Sequence, residues 1–123
     1  METLEAARRW AREWELAWRE HDAERVARLY APGASFRTSP FREPHDPGRY
    51  AAWAFDSEEP GPDVTFLEPV VVAGDRAAVE WWAVTRERDG AESTLAGISI
   101  LRFRDDGLVV EERGYWNVKP AAP

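Results

Sequence analysis

From Pro62 onward the chain changes its hydrophobic period, and this switch constrains the fold more than any other feature. Before it, apolar residues recur every three or four positions. Leu4, Ala7, Ala11, Trp14 and Trp18 make one stripe of a helix from Leu4 to Glu20, widened by Trp10 and Ala17. Asp22 is a good N-cap for a second helix, Ala23 to Tyr30, which Ala31-Pro32-Gly33 stops. Residues 31–63 hold Pro32, Pro40, Pro44, Pro47, Pro60 and Pro62, so this part is loop-rich apart from a short strand at Ala34–Thr38. A third helix starts at Pro47 with Asp46 as its cap, turns Tyr50, Trp53 and Ala54 inward, and ends before Glu58-Glu59-Pro60.

After Pro62 the period is two. The spacing predicts strands at Asp63–Ala73 (bent or bulged at Pro69), Arg76–Arg88, Ala91–Arg104 and Leu108–Val118. Gly74-Asp75, Asp89-Gly90 and Asp105-Asp106-Gly107 supply the turns. Three helices followed by an antiparallel meander is an α+β architecture, with a curved sheet wrapped around the helices and one domain over residues 1–123.

Composition narrows function by exclusion. There is no cysteine, which removes disulfides, thiol catalysis and thiolate metal sites. A formal net charge of −7 gives no basic footprint for nucleic acid and no attraction to anionic lipid. No stretch is long and apolar enough for a membrane span, and the charged start, Met1-Glu2-Thr3-Leu4-Glu5, does not read as a signal peptide. The expected location is cytoplasmic. No His, Asp and Glu spacing suits a metal and no glycine-rich loop suits a phosphate, so no cofactor is expected. Seven tryptophans in 123 residues are the positive signal, and they suggest either an unusually aromatic core or an aromatic-lined cavity, with core filling the ordinary role of any single ring.

Hairpin geometry assigns the faces of the sheet. A two-residue turn at Asp89-Gly90 would place Glu80, Trp82 and Val84 on one face with Leu95, Gly97 and Ser99. The other face would carry Trp81 with Ile98 and Ile100, too apolar to stay in water, which suggests a homodimer through the outer sheet face. The last hairpin allows two registers. A two-residue turn puts Glu112, Gly114 and Trp116 on the Glu80 face, and a three-residue turn with a glycine bulge puts Glu111, Arg113 and Tyr115 there. Gly97, joined by Gly114 if the first register holds, removes side-chain volume beside Trp82 and Trp116, which favours a hollow over a filled core.

The order of elements, with Ala31-Pro32-Gly33-Ala34-Ser35-Phe36, Leu101 to Leu108 and Gly114-Tyr115-Trp116-Asn117, resembles the nuclear transport factor 2-like superfamily, in particular SnoaL-like proteins. The resemblance covers nearly the whole chain. It implies a cone-shaped α+β barrel, a pocket between helices and concave sheet, and a dimer through the sheet. It implies no single activity, because one fold hosts many functions. Likeness to the ketosteroid isomerases of that superfamily implies that Glu80, Trp82, Val84, Glu112, Gly114 and Trp116 line the cavity. It also shows what is missing. Their three catalytic positions match Trp14, Ser39 and Ser99, so that particular isomerisation is not expected.

The residues left for chemistry are Glu80 or Glu112 as general base, with His45 in the loop expected over the pocket mouth, Ser99 or Tyr50 to polarise the substrate or donate a proton. Trp14, Ser39, Tyr50, Trp53, Trp82, Val84, Leu95, Gly97, Ser99, Gly114 and Trp116 are the expected lining. Trp10 and Trp18 read as ordinary packing on helix one. Acid–base chemistry of the cyclase, isomerase or dehydratase type on an apolar small molecule is one expectation. Non-catalytic binding of an apolar ligand or a protein partner is the other.

Overall fold

A computed structural model describes residues 1–119. Helix α1 (Thr3–Glu20) ends where His21 turns into the left-handed region. Helix α2 (Ala23–Ala27) is capped by the Asp22 carboxylate, which accepts from the Arg25 N–H at 3.2 Å. The second helix thus stops short of Tyr30, and Tyr30 instead opens strand β1 (Tyr30–Arg37). Helix α3 (Pro47–Asp56) starts as its sequence predicts, with Pro47 in the first turn and Asp46 accepting from the Arg49 N–H at 2.9 Å.

The remaining strands are β2 (Asp63–Phe66), β3 (Val70–Ala73), β4 (Arg76–Arg86), β5 (Glu92–Phe103) and β6 (Val109–Lys119). The expected bend at Pro69 is a full break between β2 and β3, both of which pair with β4. The sheet order is β1-β6-β5-β4-β2, with β1 parallel to β6 and the β4-β5-β6 meander antiparallel. This is the α+β arrangement expected from the sequence, with three helices against one face of a six-stranded sheet. No helix among the described residues is long and apolar enough to cross a membrane.

The β4–β5 register differs from expectation by one residue. Glu87 faces Ala91, so the turn is the three residues Arg88-Asp89-Gly90 with Gly90 at φ 93°, not a two-residue turn. Trp81 therefore pairs with Gly97, Trp82 with Ala96 and Glu80 with Ile98. Because side chains alternate, this slip inverts the whole of β4. Trp81 is 9% exposed and faces the helices, while Trp82 is 49% exposed on the outer face. Glu80 and Val84 go outward with Trp82, and the Glu80 carboxylate accepts from the Trp82 indole N–H at 2.6 Å.

The β5–β6 hairpin uses the same kind of turn, Asp105-Asp106-Gly107 with Gly107 at φ 85°. Here, however, Phe103 pairs with Val109 and Arg102 with Glu111, which makes Val110 an extra, bulged residue. The bulge cancels the inversion. Leu101 pairs with Glu112, Ser99 with Gly114 and Gly97 with Trp116, as the first of the two registers requires.

Candidate functional site

Between the helices and the inner sheet face lies a cavity of about 210 Å³. Helix α1 contributes Trp10, Trp14 and Trp18 on successive turns, the spacing that places side chains on one stripe. Two glycines shape the far wall. A Cβ on Gly97 would sit 2.9 Å from Cζ2 of Trp81 and 2.5 Å from Cβ of Trp116, so only glycine leaves these rings their places. A Cβ on Gly114 would sit 2.5 Å from the Thr38 carbonyl oxygen, so its absence lets β1 approach β6 closely. The Trp116 indole N–H donates to that same carbonyl at 2.7 Å.

Of the residues expected to line a pocket, Trp14, Tyr50, Trp53, Leu95, Ser99, Gly114 and Trp116 line this cavity, and Glu112 stands among them. Gly97 lies on the same sheet face, beneath Trp81 and Trp116. Five expected positions are elsewhere. Glu80, Trp82 and Val84 are on the outer face because of the β4 inversion. Ser39 is displaced by strand alternation, since Phe36 and Thr38 point inward and Thr38 takes the lining position. His45 is exposed in a separate depression with Ala31 and Asp46, its backbone N–H bonded to the Phe36 carbonyl at 2.8 Å. Its ring reaches only the Tyr50 ring, 5.8 Å away.

Glu112 is 5% exposed and sits at the centre of a hydrogen-bonded chain. Tyr30 donates its hydroxyl to Oε1 at 2.5 Å, and Ser99 donates to Oε2 at 3.3 Å. The Trp10 and Trp14 indole N–H groups both donate to the Tyr30 oxygen, at 3.1 and 2.9 Å, and Trp81 donates to the Ser99 oxygen at 3.3 Å. Burial away from water pushes the Glu112 carboxyl up to about 7, against the opposing pull of the Tyr30 and Ser99 hydrogen bonds. Burial and the neighbouring Glu112 charge push the Tyr30 hydroxyl well above its ordinary value. No Arg or Lys lies within ion-pair distance of Glu112 among the described residues.

A second buried carboxylate, Glu58, lines the same cavity and is 7% exposed. The Trp18 indole N–H donates to its Oε1 at 2.7 Å, and burial again pushes it up to about 7. His21 Nε2 stands 3.4 Å from that oxygen without forming a hydrogen bond, its ring stacked on Phe55 at 5.1 Å. Burial lowers the His21 pKa, and Arg88 lowers it further. Sequence reasoning missed Glu58 and Tyr30. Glu58 lies past the end of α3 in a proline-rich stretch with no period to orient it, and Tyr30 read as the last residue of a helix. Trp10, Trp18 and Trp81 also line the cavity, where packing or an outer position was expected. Among the described residues, no three His, Asp or Glu side chains are arranged to hold a metal ion.

The family model for the SnoaL-like domain matches residues 7–112. No curated protein matches the sequence significantly. Among solved structures, an NTF2-like protein of unknown function from Exiguobacterium sp. 255-15 aligns at 17% identity over 91% of this chain and 98% of its own, with a TM-score of 0.74. The Delta 5-3-ketosteroid isomerase from Mycobacterium sp. aligns at 19% identity over 98% of this chain and 100% of its own, TM-score 0.69. RV0760c from Mycobacterium tuberculosis, solved in complex with estradiol-17beta-hemisuccinate, aligns at 21% identity over 94% and 93%, TM-score 0.70. At these identities the likeness is one of fold.

Proposed function

Because the chain belongs to the SnoaL-like family, whose fold hosts several chemistries, we propose a function read from its cavity: proton transfer to and from an apolar small molecule, with Glu112 as general base and then general acid. The observation that carries this reading is a carboxylate in an aromatic cavity, free of any cationic partner among the described residues and held by two hydroxyl groups. A base whose pKa lies near 7 is half ionised at neutral pH, where it can both take and return a proton. Each Glu112 oxygen accepts one hydrogen bond, from Tyr30 or Ser99, and keeps a further lone pair for a substrate C–H or O–H. The two donors fix the orientation of the carboxylate, and the indoles of Trp10, Trp14 and Trp81 fix the donors. Removing a proton at one position and returning it at another gives isomerisation. Returning it to a leaving hydroxyl gives dehydration.

A proton-transfer probe tests this without knowledge of the natural substrate. When a base takes the C3 proton of 5-nitrobenzisoxazole, the N–O bond breaks and 2-cyano-4-nitrophenolate forms. Saturable turnover is expected, rising with pH through about 7 as Glu112 ionises, and Glu112→Gln should abolish that limb. Equal turnover by the two proteins would contradict the assignment.

The outer face supports a second part of the proposal, a homodimer. The corrected register gathers Trp82, Ile98 and Tyr115 there, 49%, 42% and 44% exposed, with Ile100 beside them, so Trp82 replaces Trp81 in the expected interface. Light scattering after size exclusion should find a species of twice 14.0 kDa, and Trp82→Glu should return it to a monomer. A wild-type monomer at high concentration would refute the dimer.

A further inference from the structure

We propose that the Glu58 end of the cavity is a cation subsite, which takes the protonated amine of a ligand whose apolar body reaches toward Glu112; this rests on the reading of the cavity as a small-molecule site. Glu58 has the features of a charge built for a visitor. It is more than nine-tenths buried, yet no Arg or Lys lies within ion-pair distance of it among the described residues. The protein's own chemistry satisfies only half of it. Oε1 accepts from Trp18, while Oε2 takes no hydrogen bond among the described residues. Burying a carboxylate costs several kcal/mol unless a counter-charge or hydrogen bonds offset it, so the unoffset part is available to a ligand.

The groups packed around Glu58 do not neutralise it. His21 is near but misaligned, and burial and Arg88 keep its imidazole on the neutral side at pH 7. Arg88 is turned to the Asp56 carbonyl, to which it donates at 2.8 Å. Glu87, facing Glu58 across an isolated bridge, adds negative charge.

The walls complete the subsite. Trp14 meets Trp18 and Phe55 edge to face, both with ring centroids 6.3 Å apart. Trp53, 62% exposed, lines the cavity from α3. Aromatic rings with a carboxylate beside them attract an ammonium group, because the π-face and the carboxylate are both negative. An anionic ligand would meet Glu58 and Glu112, with no Arg or Lys among the described residues that line the cavity. A neutral alcohol would gain only a hydrogen bond.

Three adamantane derivatives of one shape separate these cases: 1-aminoadamantane, 1-adamantanol and adamantane-1-carboxylate, measured by isothermal titration calorimetry on the full chain. At pH 7.5 the amine should bind at least about tenfold tighter than the alcohol, the scale of a desolvated cation–π contact with an added charge pair, and the carboxylate should bind weakest. At pH 6.5 amine binding should release protons, seen as a dependence of the heat on buffer ionisation enthalpy, because the cation draws Glu58 into its charged form. Glu58→Gln should remove the preference for amine over alcohol while the alcohol still binds, and Glu112→Gln should keep the preference. Equal or tighter binding of the alcohol or the carboxylate, binding of none at millimolar concentration, or loss of the preference in Glu112→Gln alone would each overturn the proposal. The wild-type comparison needs no variant to fold and no turnover. Its failure would therefore leave the Glu112 elimination result standing, and the reverse also holds.

Discussion

Glu112→Gln should make the protein more stable above pH 7 while removing the proposed base. Burial raises the Glu112 carboxyl from 4.5 to about 7 in the folded protein. Between those values the unfolded chain has lost a proton that the folded chain keeps. The stability associated with this group is fully present below pH 4.5, falls as pH rises, and is lost once pH passes about 7. At about 1.4 kcal/mol for each pH unit of difference, the loss is on the order of 3 kcal/mol. Glutamine carries no charge to desolvate and can use the same partners. Its amide oxygen accepts from Tyr30, and its NH₂ donates to the Ser99 oxygen, which already accepts from Trp81. The variant should therefore match wild type at pH 4.5 and exceed it by about 1–3 kcal/mol at pH 8. Urea unfolding at the two pH values measures this. Glu58, pushed up to about 7 as well, is common to both proteins, so their difference isolates Glu112. A difference that does not change with pH would contradict the account. Such a gain with loss of function is the trade expected where a site is kept unstable for its chemistry.

Tyr30→Phe should have the opposite effect on stability. The Tyr30 oxygen accepts from two buried indoles, and its proton goes to Glu112. Phenylalanine fills the same space and orphans both donors, in a region where Trp10 is 2% and Trp14 8% exposed. An unsatisfied buried donor costs about 1–3 kcal/mol, so a loss of about 2–4 kcal/mol is expected in urea unfolding at pH 7. The change also removes a hydrogen bond that favours the charged form of Glu112, so the midpoint of the elimination profile should move above about 7. A loss under about 0.5 kcal/mol, or an unmoved midpoint, would mean that the Tyr30 chain does not hold the carboxylate.

The parts of the molecule legible in the sequence are those fixed by local chemistry. Asp46-Pro47 starts α3, the tryptophan stripe marks the inner side of α1, and alternation after Pro62 marks the strands. Face assignment is another matter, because it depends on whether a turn has two residues or three and whether a bulge follows. Both hairpins have an Asp-Gly turn, yet only the second is followed by the bulge at Val110. That difference sends Glu80 and Trp82 out while Glu112 and Trp116 stay in. Tyr30 and Glu58 were hidden for a related reason. Each sits at a junction, where a helix gives way to strand or loop, and there the direction of a side chain is set by distant packing rather than by period. The aromatic excess was informative in kind. The rings do surround a cavity, but through Trp10, Trp18 and Trp81 as well as Trp14, Trp53 and Trp116, with Trp82 outside.

The proposed proton transfer requires Glu112 to be a buried carboxyl that changes charge near neutral pH. Carbon-13 NMR of side-chain-labelled glutamate, assigned by the missing signal in Glu112→Gln, reads that directly. The Glu112 carboxyl carbon should titrate with a midpoint of about 7 and move upward in Tyr30→Phe. A midpoint at the ordinary 4.5 would show a carboxylate already ionised throughout the neutral range, and would contradict its assignment as the proton-transfer group.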